Sequence, residues 1–233
     1  MSNKSEFMKI LTVSDKVEKS FFKDYLLREK CQGTHLILAC GDLPSYYLEY
    51  LLNSLNVPLY YVPGNHDEHP YQPYLRRKSF AEGCTNIDQR VIVFKGLLIG
   101  GLAGAFRYKR GNYLYTEAQM HRKVLSMIPC LILNKIKYKR YIDILITHAS
   151  PFGIHDDKDL PHQGFKEFLR FMKTYKPAYL IHGHTFLQKG KEIPISCYHS
   201  TRVINTNPYR LLEIDDAYIR RHHNQTCKKG TSN

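Results

Sequence analysis

The chain has no run of eighteen consecutive apolar residues, which excludes a membrane-spanning helix. Its first residues, Met1-Ser2-Asn3-Lys4-Ser5-Glu6, lack the apolar core of a secretory leader. The six cysteines, Cys31, Cys40, Cys84, Cys130, Cys197 and Cys227, form no C-x-x-C pair. That removes the cysteine type of zinc site. Cys40 and Cys130 stand inside apolar runs, as reduced thiols do. These absences predict a cytoplasmic protein. No internal repeat, low-complexity tract or linker interrupts the sequence. A chain of 233 residues can bury one substantial core and is short for two. The expectation is one domain over residues 1–214 and a polar, basic tail over 215–233.

Acids are scarce in one region. Between Arg107 and Arg140, nine Lys or Arg face a single acid, Glu117, within a formal net charge of +13. Such an excess favours anionic partners: phosphate esters, nucleic acid or membrane surfaces. A solvated basic helix face is the plainer reading, and nucleic acid is not the favoured partner.

Short apolar runs organise the rest. Residues 8–14, 35–40 and 58–62 read as buried strands. Between them, 17–30 carries apolar positions near helical spacing, and 47–55 continues a helix with Pro44 in its first turn. This β-α-β-α-β series with short connections predicts parallel strands and right-handed crossovers. The polar, aromatic stretch 71–82 reads as surface chain. Residues 90–94 and 97–101 read as a hairpin turning at Lys95-Gly96, opening a second sheet. The glycine-rich stretch 100–105 matches neither a P-loop nor G-x-G-x-x-G. Thr116 caps a helix expected to reach about Asn134, with Glu117 in its first turn. Strands follow at 141–147 and 178–181, with a helix at 165–175 between them. Residues 186–214 alternate in short segments, with turn signals at Lys189-Gly190 and Asn207-Pro208, and read as antiparallel strands.

The strand ends carry the chemistry. Asp15, Asp42 and Asn65 each follow one of the first three strands, His66 comes next, and His148 and His182-Gly183-His184 follow two later ones. In an open parallel sheet the carboxyl ends share one edge, so these residues should converge. Each has a plainer role: a lone Asp after a strand caps a helix, and a lone His is a satisfied core imidazole. Two imidazoles on one glycine turn are harder to explain that way, and seven such coincidences in order are harder still. A mixed set of carboxylate, imidazole and amide oxygen suits Mn²⁺, Fe or Zn²⁺ better than Ca²⁺.

Taken in order, Asp15, Gly41-Asp42, Gly64-Asn65-His66-Asp67, Thr147-His148 and His182-Gly183-His184-Thr185 resemble the motifs of the calcineurin-like metallophosphoesterases. The resemblance spans residues 15–205. It implies an α/β fold: a four-layer αββα sandwich of two mixed β-sheets faced by helices. It implies two divalent ions, Mn²⁺ ahead of Fe or Zn²⁺, and hydrolysis of a phosphodiester or phosphomonoester of a small phosphorylated molecule. Carried over by position, Asp42 bridges both ions. Asn65, His148 and His182 complete one site, Asp15 and His184 serve the other, and His66 is the catalytic imidazole beside Asn65. Asp67, His155, Asp156 and His162 orient the ligands from behind or touch substrate.

There is one departure. The family's first motif is usually Asp-x-His, and here it reads Asp15-Lys16-Val17. The first ion then has one protein donor fewer, with Glu18, His155, Asp156 and His162 as open candidates for the gap. A chain of this kind that has lost catalysis and serves as an interaction scaffold is the alternative. A nuclease of the same fold is the third reading, motivated by segment 107–140.

Overall fold

The computed structural model describes residues 7–67, 81–185 and 195–215. The first sheet is built on three parallel strands, β1 (Phe7–Val13), β2 (Leu36–Ala39) and β3 (Leu59–Tyr61), extended by the short β4 (Thr85–Asn86). The hairpin β5 (Val91–Phe94) and β6 (Leu97–Leu102) opens the second sheet. After a minor pair, β7 (Ala105–Phe106) and β8 (Leu114–Tyr115), come β9 (Ile144–Thr147), β10 (Tyr179–His182), β11 (Ile195–Tyr198), β12 (Thr201–Asn205) and β13 (Tyr209–Asp215). The sheet orders are β13-β1-β2-β3-β4 and β11-β12-β10-β9-β6-β5. Helices α1 (Asp24–Lys30) and α2 (Ser45–Leu55) follow strands of the first sheet, and α3 (Glu117–Tyr138) and α4 (Lys166–Tyr175) belong to the second.

The period of two along each strand sets the layers. In β1 and β2, Ile10, Leu36 and Leu38 turn inward and meet Ile99, Ile144, Ile146 and Ile181 of the second sheet. The intervening Leu11, Val13, Ile37 and Ala39 turn outward onto Leu27 of α1 and Tyr47, Leu48 and Leu51 of α2. In β9 and β10, Leu145 and Leu180 turn outward onto Met120, Val124, Met127 and Leu131 of α3 and Phe168, Phe171 and Met172 of α4. Three apolar seams therefore separate four layers, the αββα sandwich that the resemblance implies. Both faces of the central strands are buried, so they read as continuous apolar runs rather than as alternation.

The details differ from the sequence in physical ways. Residues 17–30 do not form one helix. The Glu18 carboxylate accepts the Ser20 N–H at 3.0 Å and closes a 3₁₀ turn over Lys19–Phe22. Lys23, extended at φ −85° and ψ 96°, separates that turn from α1. Pro44 stands at the N-cap of α2, one residue before its first turn. The α3 helix has a full capping box between Thr116 and Gln119 and runs four residues past Asn134 to Tyr138. The segment read as antiparallel is shared between the sheets. The β11–β12 pair is antiparallel, β12 lies parallel to β10, and β13 crosses to pair antiparallel with β1. The stretch 71–80, the turn at Lys189-Gly190 and residues 216–233 lie outside the described residues.

Candidate metal centre

Asp15 and Asp42 leave the carboxyl ends of the first-sheet strands, and His148 and His184 leave those of the second. One ligand atom from each lies within 4.8 Å of all the others. Among the described residues this is the one such group of His, Cys, Asp or Glu. The strand period explains why His148 enters it. Along β9, Ile144 and Ile146 face the inter-sheet seam, Thr147 does not, and His148 faces the seam again. Its Nδ1–H donates to the Cys40 carbonyl of the first sheet at 2.7 Å. That fixes the tautomer and leaves Nε2 toward the Asn65 Oδ1 at 3.0 Å and the Asp42 Oδ2 at 3.3 Å. His184 is oriented likewise. Its Nε2–H donates to the Pro161 carbonyl at 2.7 Å, and its ring centroid lies 4.7 Å from that of His148. One ring nitrogen of each imidazole thus lies within 4.8 Å of both carboxylates, and the donor set fits a divalent transition ion.

The backbone is bent to achieve this. Asp15, Asp42 and His184 have φ of 61°, 57° and 67°. The left-handed region is disfavoured for any L residue and least so for Asn, Asp and His. Hydrogen bonds hold each bend. Asp15 donates its N–H to the Gly41 carbonyl at 3.1 Å, and its carboxylate accepts the His184 N–H at 2.9 Å. Asp67 accepts from the N–H groups of Asp42 at 2.9 Å and Gly64 at 2.7 Å. Asp42 Oδ1 accepts the His66 N–H at 2.8 Å, and the Ser14 hydroxyl donates to Asp15. Gly41, at φ 90°, has no room for a side chain, since a Cβ there would stand 2.7 Å from His148 Nδ1 and 2.5 Å from Gly64 N.

The other anticipated residues fall into two groups. Asn65, His66 and Asp67 stay with the cluster through the contacts above. His182 is not one of the four residues of that cluster. It continues the outward face of β10 after Leu180, so its Nε2 accepts from His155 Nδ1 at 3.0 Å, its Nδ1–H donates to the Gly183 carbonyl at 2.9 Å, and His155 Nε2 accepts from Ser196 Oγ at 2.8 Å. Asp156 accepts the Gly164 N–H at 3.2 Å. His162 pairs with Asp159 at 2.7 Å while its ring centroid lies 5.1 Å from that of His184. Val17 packs against the core under α1 and α2, and Glu18 is spent on the 3₁₀ turn, so neither joins the four-residue group. Ser14 and the Pro161 carbonyl position ligands without having been anticipated. Ser14 immediately precedes Asp15, which is a usable signal, whereas a backbone carbonyl leaves none in a sequence.

Charge in the cluster is tightly matched. Burial works against charge on His148, but the Asp42 carboxylate, Asp15 and the Cys40 carbonyl outweigh it and raise the imidazole to about 9. Burial would raise Asp42, but the His148 charge and hydrogen bonds from His148 and His66 lower it to about 2. Burial raises Asp15, and it raises Asp67 to about 6. Burial and the His148 charge lower His184 to about 3, and burial with the neighbouring His155 lowers His182 to about 3. His148 is the proton holder of the metal-free site. An ion needs its Nε2 lone pair, so metal and proton compete. The expected result is release of about one proton at pH 7 as the ion that takes His148 Nε2 binds, with affinity for that ion rising about tenfold per pH unit up to about 9 and then levelling. Titration of Mn²⁺ in weakly buffered solution checks this, and pH-independent binding would contradict it.

Residues 8–187 match the family described as calcineurin-like phosphoesterase. The chain belongs to that family. No curated protein shows significant similarity to the sequence. Among solved structures, TT1561 of Thermus thermophilus is 18% identical, with 93% of this chain and 96% of that chain covered at a TM-score of 0.62. A second crystal structure is 13% identical, covering 89% and 95%, also at 0.62. Vacuolar protein sorting 29 of Cryptosporidium parvum is 13% identical, covering 90% and 86%, at 0.45.

Proposed function

We propose that this chain is a metal-dependent phosphoesterase. It hydrolyses a phosphodiester or phosphomonoester of a small phosphorylated molecule, with Mn²⁺ the best-suited ion and a dinuclear centre the expected form. The observation that carries this reading is the four-donor cluster, in which carbonyls orient both imidazoles and a ring nitrogen of each lies within 4.8 Å of two carboxylates. Asp42, His148 and His184, with the Asn65 amide oxygen, would hold one ion. Asp15 and Asp42 would hold the second, more weakly because Val17 turns into the core. Ions there supply Lewis-acid polarisation of the phosphoryl group and acidify water. The chain supplies the rest. Asp67 and Ser14 fix the two carboxylates. Water adds to phosphorus as hydroxide, shedding a proton that balances the one the leaving group gains; the bond from phosphorus to the leaving oxygen breaks, and a proton passes to that oxygen. His66, exposed beside Asp42, is placed to give it.

Hydrolysis of bis(p-nitrophenyl) phosphate with and without Mn²⁺, beside an Asn65→Ala control, tests the proposal. Mn²⁺-dependent turnover lost in the control is expected. Turnover no higher than the control would overturn it and favour the scaffold reading, for which Val17 is the motivating residue.

A further inference from the structure

The outer face of α3 is apolar where a solvated helix should be polar. Leu125, Ile132, Leu133 and Ile136 are 45%, 49%, 64% and 65% exposed. With the exposed Pro129 they fall within about 100° of the helix circumference, and Leu125 to Ile136 spans about 16 Å along it. The opposite face, with Met120, Val124, Met127 and Leu131, is the one that packs on the sheet. Val93 of the neighbouring edge strand β5 is 50% exposed and lies on the same side of the sheet as Val91, which packs under α3. Scattered exposed apolar residues are ordinary, but an aligned row on one helix face is not.

Charge decides what such a row meets. Lys135 flanks the stripe on one side and Lys137 on the other, and Arg122 stands one turn before Leu125. No acid occurs in the sequence between Glu117 and Asp143. The acids packed against the helix are turned inward. Asp88 pairs with the buried Lys123 at 2.9 Å, and Glu167 bonds His121 at 3.0 Å. A second copy of this chain would bring the same cations face to face. Nucleic acid would use the lysines and leave the leucine row wet. An apolar stripe between cationic flanks is the pattern of a helix lying in a lipid headgroup layer.

We infer that the outer face of α3 docks this protein on an anionic lipid surface. The patch lies toward the C-terminal end of α3. That end is opposite the edge bearing His148, because β9 starts beside it and runs toward the metal centre. Docking therefore leaves the centre open to solvent.

Co-sedimentation with phosphatidylcholine vesicles, with and without phosphatidylglycerol, tests this in the full chain. Binding is expected only to the anionic vesicles and weakens with salt. Leu133→Ser/Ile136→Ser and Lys135→Glu/Lys137→Glu are each expected to weaken it about tenfold or more. Lys19→Glu/Lys23→Glu makes the same change in net charge on the opposite outer layer and is expected to leave binding unchanged. All six side chains are at the surface or nearly so, and unchanged melting temperatures will confirm that the variants fold. Three outcomes overturn the inference. One is no binding to anionic vesicles. Another is an equal loss in the Lys19/Lys23 variant, which would mean general basicity. The third is a dimer in sedimentation velocity that the Leu133/Ile136 variant dissolves while vesicle binding is unaffected, which would assign the face to a second copy.

Discussion

Asp42→Asn is expected to abolish Mn²⁺-dependent turnover and to weaken divalent metal binding by more than the roughly 10–100-fold typical of a residue that merely supports a ligand. Asp42 is the carboxylate on which the cluster converges. Its Oδ2 lies 3.3 Å from His148 Nε2, its Oδ1 accepts the His66 N–H at 2.8 Å, and its own N–H is held by Asp67 at 2.9 Å. The amide keeps shape and backbone but loses the charge. A second readout follows from linkage. His148 is raised from 6.5 to about 9, so its charge stabilises the metal-free fold fully below pH 6.5. That contribution is lost as pH rises through about 9. Asp42 is lowered from 3.8 to about 2, and its contribution is present above pH 3.8 and lost as pH falls through about 2. Asn at position 42 removes the main partner of His148. The stability loss between pH 6.5 and 9 seen in the metal-free wild type should therefore shrink in the variant. Urea denaturation across that range measures it. An unchanged pH profile together with unchanged metal affinity would place the site elsewhere.

Gly64→Ala is the second large effect, and it removes no donor at all. A Cβ at Gly64 would meet the Asp42 carboxylate, with Cγ at 2.6 Å, and His148 Cε1 at 2.7 Å. Both belong to the cluster, and neither can retreat. His148 is tied to the Cys40 carbonyl, and Asp42 sits in left-handed backbone between Gly41 and Leu43. Overpacking of this kind costs about 1–3 kcal/mol. The site should suffer more than the fold, because the displaced atoms are the ligands themselves. The expected result is a measurable drop in unfolding free energy and a loss of metal affinity of at least about tenfold. Wild-type metal affinity in a folded Gly64→Ala protein would mean that these ligand positions are not the ones that matter.

The sequence revealed the strands because the central ones are buried on both sides, as the run Leu36–Ala39 is. It also revealed the start of α3, because Thr116 and Gln119 supply a capping box. It could not reveal that Lys23 would interrupt 17–30, since a carboxylate turning back on Ser20 N–H competes with helix at no cost in pattern. Nor could it reveal β4, β7 and β8, which are two residues long and owe their existence to neighbours. For the site, strand ends pointed to Asp15, Asp42, His148 and His184, which do assemble. The side of β10 that His182 takes was legible in principle. His182 shares the parity of Leu180 and faces outward, where His155 meets it. What no sequence pattern carries is the left-handed turn at His184, which gives its backbone N–H to the Asp15 carboxylate and sets the second imidazole of that motif among the four donors.

The most direct test of the central claim is an anomalous difference map from crystals of the wild-type protein equilibrated with Mn²⁺. The account predicts a strong peak within bonding distance of the Asp42 carboxylate, His148 Nε2 and the free nitrogen of His184, and a weaker one on the Asp15 side. A peak between His155 and His182, or none at Mn²⁺ concentrations that support turnover, would contradict it.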